Sequence, residues 1–287
     1  MKTKEFRGNK GIVELGPILP VTTPEMRALW NKYAEENPQD FPLTRWDYVD
    51  KFQKWYDNLE VQSKIWIDNL HSGQDSYRDK HLHPRIKRKV ESIVDGRFIL
   101  DIGCGTGEAV IPHLKSSQHY LGLDISRHAL EYAGNKFEIP LVDDEMFPNY
   151  NRDRMLRFGG LPNTIPLKNG RVFDEVIASM MLHHVNNLEG SVQTITDTLF
   201  PGGGYFIVTF DSDRREEIDG FFDKIHYQDE RTTVGDYNLP QGKLSNVRIN
   251  FHGNQEVFDE LKKHSDYVRH EENAGIFSIF EGIKKRK

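Results

Sequence analysis

From about residue 96 onward, short apolar runs alternate with stretches of helical periodicity. The runs Arg97–Ile102, Tyr120–Leu123, Met155–Phe158, Phe173–Ala178 and Tyr205–Phe210 are rich in β-branched and aromatic residues and predict strands. Two further runs, Tyr267–His270 and Ile276–Ile283, close the chain. Between them the spacing predicts helices over Thr106–Lys115, Ser126–Lys136, Leu188–Leu199 and Asn254–His264, with Ser126 and Asn254 as N-caps. Pro112 falls inside the first of these and should kink it or delay its start. Strands alternating with helices are the pattern of βαβ units around a parallel sheet, so an α/β class is expected.

Before residue 96 the pattern reads mostly as helices. Thr44–Asn69 sets Trp46, Tyr48, Phe52, Trp55, Tyr56, Ile65 and Trp66 at roughly helical spacing. These side chains can pack on the main domain, cap a pocket, or do both. The expected organisation is an N-terminal helical extension or cap over residues 1–90 and an α/β domain over 91–287. Two segments read as insertions. One, at about 137–154, carries Asp143, Asp144 and Glu145; the other, at about 212–253, carries Phe221, Phe222, His226, Tyr227, Tyr237 and His252. A segment as long as the second is expected as a lid over a binding site, with a helical decoration as the alternative.

Composition narrows the partners. The formal net charge is −6 over 287 residues, which argues against a nucleic-acid partner; such a partner usually demands a basic face. The basic run Arg78–Lys89 reads as a solvated helix face. Cys104 is the single cysteine, so no intramolecular disulfide is possible. The N-terminal MKTKEFRGNKGIVELG has a basic start without a following apolar stretch, and no run is long enough to span a bilayer. A cytoplasmic protein without membrane contact is expected. The His81/His83 and His183/His184 pairs lack a third ligand at metal-binding spacing, so no metal is expected. The sequence does not set an oligomeric state.

The chemistry concentrates in Phe98-Ile99-Leu100-Asp101-Ile102-Gly103-Cys104-Gly105-Thr106-Gly107-Glu108. An apolar strand runs into a glycine-rich turn, where Gly103, Gly105 and Gly107 permit positive φ and close approach of a ligand. A helix following this turn would add free N–H groups and a positive dipole end. A dinucleotide fingerprint needs glycine at position 108, where Glu108 would repel a pyrophosphate. The Lys-Ser/Thr pair of a Walker loop is absent. Seventeen positions beyond Gly107, Asp124 ends the next strand in Tyr120-Leu121-Gly122-Leu123-Asp124-Ile125-Ser126. Such a carboxylate can accept from both hydroxyls of a ribose, or simply cap a helix.

These two segments resemble the first two motifs of the class I S-adenosylmethionine-dependent methyltransferase family. The likeness continues in order through Leu161–Leu167, through Phe173–Val185 and through Phe200–Tyr205. It implies a doubly wound, mostly parallel, seven-stranded Rossmann-like methyltransferase sheet and S-adenosylmethionine as cofactor, with S-adenosylhomocysteine as product. By that resemblance Asp101, Gly103, Cys104, Gly105 and Gly107 would hold the methionine portion, Asp124 the ribose, and Ile125 the adenine. Gly160 and Leu161 stand where the family often has an acidic residue facing the adenine amino group, so a backbone group would serve there. Ser179 and Met180 would line the cofactor after the fourth strand, and Tyr77 and Arg78 would meet its carboxylate.

The implied reaction is in-line attack on the sulfonium methyl, with protein groups supplying orientation and exclusion of water. An oxygen acceptor wants a base, and His183 and His184 follow the fourth strand where the methyl should lie. Their alternative role is a structural turn. The expected activity is methylation of a small molecule, at oxygen first and nitrogen next. An RNA or protein methyltransferase and a non-catalytic cofactor- or partner-binding module are the alternatives; fold alone does not decide among them.

Overall fold

A computed structural model describes residues 4–8, 11–15, 33, 57–68, 80–142, 154–158, 173–239 and 242–286. The chain divides into two units, Met1–Leu59 and Glu60–Lys287. In the first, β1 (Lys4–Gly8) pairs antiparallel with β2 (Gly11–Leu15), Phe6 opposite Val13. Helices are expected over most of this third of the chain, and residues 4–8 and 11–15 depart from that expectation. The β-branched Ile12-Val13 step favours paired extended strands there.

Residues 57–68 are helical and are named α1. Then follow α2 (His83–Ser92), β3 (Phe98–Ile102), β4 (His119–Asp124), α3 (Arg127–Phe137), β5 (Leu141–Val142), β6 (Arg154–Phe158) and β7 (Phe173–Ser179). The chain continues through α4 (Leu188–Asp197), β8 (Leu199–Phe210), α5 (Arg215–Asp219), β9 (Lys224–Gln228), β10 (Thr232–Leu239) and β11 (Gly242–Asn250). It ends with α6 (Asn254–His264), β12 (Ser265–Ala274) and β13 (Phe277–Lys284).

The main sheet has eight strands in the order β12-β13-β8-β7-β3-β4-β6-β5. Strands β5, β6, β4, β3, β7 and β8 run parallel, and β13 and β12 add antiparallel at one edge. All seven expected strands form. The eighth, β5, is two residues long and lies in the stretch read as an inserted loop, too short to leave a periodic signature.

Side-chain alternation loads both faces of the sheet. Ile99, Tyr120, Ile177, Phe206 and Val208 pack with Ile86 and Val90 of α2 and Leu130 and Ala133 of α3. Leu100, Leu121, Leu123, Val176 and Ile207 pack with Val192 and Ile195 of α4 and Val257 and Leu261 of α6. Each of these fully buried Val, Leu and Ile side chains stabilises the fold by about 1.5–3 kcal/mol relative to exposure. Helices on both faces make the sheet doubly wound. The chain leaves β3 for β4 on one side and returns to β7 on the other, so the switch point lies between β3 and β7.

Three local expectations are corrected. The helix expected over Thr106–Lys115 is absent: the chain makes turns and one 3-10 turn at Ile111–His113, with Pro112 near its start. Proline lacks the N–H that an α-helix would need there. Asn254 is not the N-cap of α6; Gly253 is. Its side chain instead donates to Asp211 Oδ1 at 2.7 Å and accepts from Ser278 Oγ at 2.8 Å, tying the ends of β8 and β13 together. The segment at 212–253 holds a three-stranded antiparallel sheet in the order β11-β10-β9. Ser126, by contrast, caps α3 as expected, accepting from Ala129 N at 3.1 Å.

Candidate functional site

The site is built at the carboxyl ends of β3, β4 and β7. After β3 the turn folds back over β4: Gly103 N and Cys104 N both donate to Leu123 O, at 2.8 and 2.9 Å. Gly103, Gly105 and Gly107 have φ of 71°, 53° and 72°. At Gly103 the need for glycine is double, because an added Cβ would also stand 2.9 Å from Met181 Cβ. At Gly105 a Cβ would meet nothing within 4 Å, so this residue faces open space.

Asp124 locks the turn to β4. Its Oδ2 accepts from Gly105 N and its Oδ1 from Ser126 N, both at 2.8 Å. Burial raises its carboxyl above the usual range; the Ser126 and Gly105 N–H groups oppose that shift, and the charge of Glu60 adds to it. Ile125, half-buried, follows on the connection into α3.

Asp101 projects from β3 toward the same face as Tyr120, which donates its hydroxyl proton to Asp101 Oδ2 at 2.9 Å. Both side chains are buried. Desolvation pushes the Asp101 carboxyl up to about 7; the Tyr120 hydrogen bond pulls it down and the charge of Asp124 pushes it further up. Gly122 makes room for this pair. A Cβ there would lie 2.8 Å from Tyr120 Oη and 2.9 Å from Cys104 Sγ. Burial also drives the Cys104 thiol well up, so it stays protonated and is a packing group here.

At the end of β7, the hydroxyl of Ser179 is buried without a hydrogen-bond partner among the described residues. Met180 follows at φ 59°, a left-handed position rare for a non-glycine residue. Such strain concentrates at functional sites. A 3-10 turn at Leu182–His184 then carries both histidines. His183 is buried, its ring 4.0 Å from that of His184 and 4.6 Å from that of Phe210. His184 is exposed. The three-stranded sheet stands beside this turn, with Ile249 and Phe251 buried. His252 Nε2 donates to Val185 O at 2.9 Å. Burial lowers the His252 pKa, and the bond to Val185 O opposes that shift. Arg215 stacks over Phe251 at 4.8 Å and donates to Thr232 O and Thr233 Oγ1, bracing the same sheet.

The structure therefore brings together Asp101, Gly103, Cys104, Gly105, Gly107, Asp124, Ile125, Ser179, Met180, His183 and His184 at one end of the sheet. Tyr77, Arg78, Gly160 and Leu161 lie outside the described residues. Sequence reasoning missed Tyr120, which reads as an ordinary strand aromatic, and Glu60, which acts on α3 from 67 positions away. The helix dipole expected behind the glycine turn is absent, because no α-helix follows it. The chemistry of the site suits a ligand bearing a positive charge and hydroxyl donors: two carboxylates converge, a buried hydroxyl waits unpaired, and Gly105 leaves space. S-adenosylmethionine, with its ammonium, sulfonium and ribose hydroxyls, fits that donor and acceptor set. Among the described residues no cluster of His, Cys, Asp or Glu is arranged to hold a metal, and no helix is long and apolar enough to cross a membrane.

Comparison with known proteins agrees with this geometry. Residues 75–243, more than half of the chain, match the methyltransferase domain family. An uncharacterised protein of Methanocaldococcus jannaschii is 34% identical over 128 residues, covering 42% of this chain and 42% of that protein. The mitochondrial ubiquinone biosynthesis O-methyltransferase of Rattus norvegicus is 31% identical over 145 residues, covering 49% of this chain and 39% of the enzyme. The chain thus spans about two fifths of the length of these curated relatives. A solved S-adenosylmethionine-dependent methyltransferase from Methanosarcina mazei superposes with a TM-score of 0.51 at 17% identity, covering 68% of this chain and 95% of that one; it carries the same fold. The chain therefore belongs to the methyltransferase domain family, whose class I members use S-adenosylmethionine as cofactor.

Proposed function

We propose that the protein transfers a methyl group from S-adenosylmethionine to a small-molecule acceptor, at oxygen first and nitrogen next. Asp101 and the turn from Gly103 through Cys104 and Gly105 to Gly107 take the methionine portion, Asp124 takes the ribose hydroxyls, and Ile125 packs on the adenine. Ser179 supplies its buried hydroxyl and Met180 its backbone to the same ligand. Tyr77, Arg78, Gly160 and Leu161 remain part of the proposal as cofactor contacts.

The observation that carries the acceptor reading is the setting of His183. It stands buried against Phe210, on a turn that packs close to Gly103 through Met181 and beside the three-stranded sheet. That sheet would wall the acceptor off from water, the role expected of a lid. When bound in the crevice held by Asp101, the glycine turn and Asp124, S-adenosylmethionine would supply an electrophilic methyl for an acceptor oxygen, its sulfur keeping the electron pair of the C–S bond. His183 receives the hydroxyl proton and passes it to solvent through His184, whose ring lies against it. The net charge of −6 and the similarity to a ubiquinone biosynthesis O-methyltransferase favour a small molecule over RNA.

The test is transfer of labelled methyl from S-adenosylmethionine into separated small-molecule and RNA fractions. Label in the small-molecule fraction is the expected result; label confined to RNA would reassign the acceptor. With the fraction that accepts label, His183→Ala should lower turnover by about 100-fold, the scale of general base catalysis, and leave cofactor affinity intact. His184→Ala should cost less. Full turnover in both variants would remove histidine from the reaction.

A further inference from the structure

Helix α1 carries groups whose partners lie on two separate parts of the fold. The carboxylate of Glu60 accepts from Arg127 N at 3.1 Å and from His128 N at 3.2 Å, the first two N–H groups of α3. Those residues lie 67 and 68 positions further along the chain. On the neighbouring positions, Asp124 holds Ser126 N and Ser126 Oγ holds Ala129 N. Four consecutive N–H groups at the head of α3 are thereby satisfied, two of them by a residue from α1. This α-helix N-terminus is already filled by a carboxylate, so it is no vacant anion site.

The other side of α1 touches the three-stranded sheet. Gln62 Nε2 donates to Ser245 O at 2.7 Å. Ile65 packs against Gly242, where an added Cβ would approach it to 3.2 Å. At about 100° of rotation per residue, Gln62 and Ile65 lie on the opposite side of the helix from Glu60. Residues 60–68 therefore bridge from the head of α3, next to Asp124, to β11, which packs on the Leu182–His184 turn. The two anchor points flank the ends of the strands at which the ligand of the site is expected.

We propose that α1 is a clasp over the cofactor crevice and that Glu60 is its latch, a positioning residue that holds the helix closed beside the ribose subsite. The inference rests on the cofactor reading given above. With Glu60 engaged, the adenosine end is roofed; exchange of cofactor for product requires the two N–H bonds to α3 to break. Glu60 also sits close enough to Asp124 for its charge to oppose ionisation there, so its release and the occupation of Asp124 by ribose hydroxyls are coupled.

The test is the dissociation rate of S-adenosylhomocysteine from the full-length protein by stopped flow, with hydrogen exchange of α1 followed in parallel. In the wild type, ligand should protect residues 57–68 from exchange. Glu60→Ala should speed dissociation by roughly tenfold, the equivalent of one charge-assisted hydrogen bond, and abolish the protection. Glu60→Gln, which retains a carbonyl acceptor for α3, should recover part of the slow rate. Ser126→Ala removes a cap from the same α3 terminus without touching α1, and should leave the dissociation rate near wild type. Should Glu60→Ala fail to fold, Gln62→Ala, at the other anchor, should raise the rate in the same direction. Wild-type dissociation in both Glu60→Ala and Gln62→Ala would overturn the clasp, as would equal acceleration in Ser126→Ala. A wild-type protein that does not bind the ligand at all would instead overturn the cofactor reading.

Discussion

Asp101→Asn should raise the thermal stability of the unliganded protein at pH 8 and, in the same protein, abolish useful cofactor affinity. The carboxyl of Asp101 titrates near 7 in the fold because burial disfavours its charged form. In the unfolded chain it would titrate at about 4. The folded state therefore binds more protons between those values, and stability falls as pH rises from about 4 through 7. A shift of that size amounts to at most about 4 kcal/mol at pH 8. The amide of asparagine removes the charge, keeps an acceptor for Tyr120, and leaves its own N–H groups to be satisfied, which costs about 1–3 kcal/mol. A net gain of about 1–2 kcal/mol, or several degrees in melting temperature, is the expected outcome at pH 8. At pH 4 that gain should disappear or reverse.

The same charge is what a cationic ligand needs. A cofactor carrying an ammonium and a sulfonium draws the Asp101 pKa down and releases a proton on binding. Wild-type affinity should therefore rise with pH through about 7 and level off above it. In Asp101→Asn the loss should be about 100-fold or more, on the scale of a charge-assisted hydrogen bond removed from a buried site. Denaturation scans at pH 4 and pH 8, together with calorimetric titration, read both halves. A variant that is less stable at pH 8 and binds like the wild type would contradict the role given to Asp101.

Asp124→Ala is the second large effect, and it runs in one direction only. Two backbone donors, Gly105 N and Ser126 N, lose their acceptor at once. Each buried N–H left unpaired costs about 1–3 kcal/mol, so melting should fall by several degrees. The glycine turn then keeps only its Gly103 and Cys104 bonds to Leu123 O of β4, and ribose loses both of its proposed acceptors. Affinity for S-adenosylmethionine and S-adenosylhomocysteine should drop together by about 100-fold or more, because the ribose is common to both. Asp124→Asn, with one oxygen remaining, should fall between. Unchanged calorimetric affinity in Asp124→Ala would remove the ribose assignment.

Much of the fold is legible in the sequence because the strands are buried on both faces and read as near-continuous apolar runs. The glycine turn and Asp124 are legible because each sits at a strand end, where a change of residue type marks the turn. The remainder depended on contacts with no local signature. Tyr120 serves Asp101, nineteen positions earlier, through a hydroxyl that periodicity does not register. Glu60 serves α3 from sixty-seven positions away. Strand β9, Lys224–Gln228, is exposed along its whole length, so it lacks the apolar alternation by which a strand announces itself. The helix expected after the glycine turn failed for the opposite reason: its periodicity is present, but Pro112 and the bonds of Gly107 N and Val110 N to nearby carbonyls favour tight turns.

The crevice between the glycine turn and Asp124 is the site proposed to take the cofactor. Calorimetric titration of the wild-type protein with S-adenosylmethionine and with S-adenosylhomocysteine at pH 8 measures this directly. Saturable binding of both ligands, one per chain and weaker for S-adenosylmethionine at pH 6, is the result expected here. The absence of binding heat with either ligand, at protein concentrations where the wild type is folded, would contradict it.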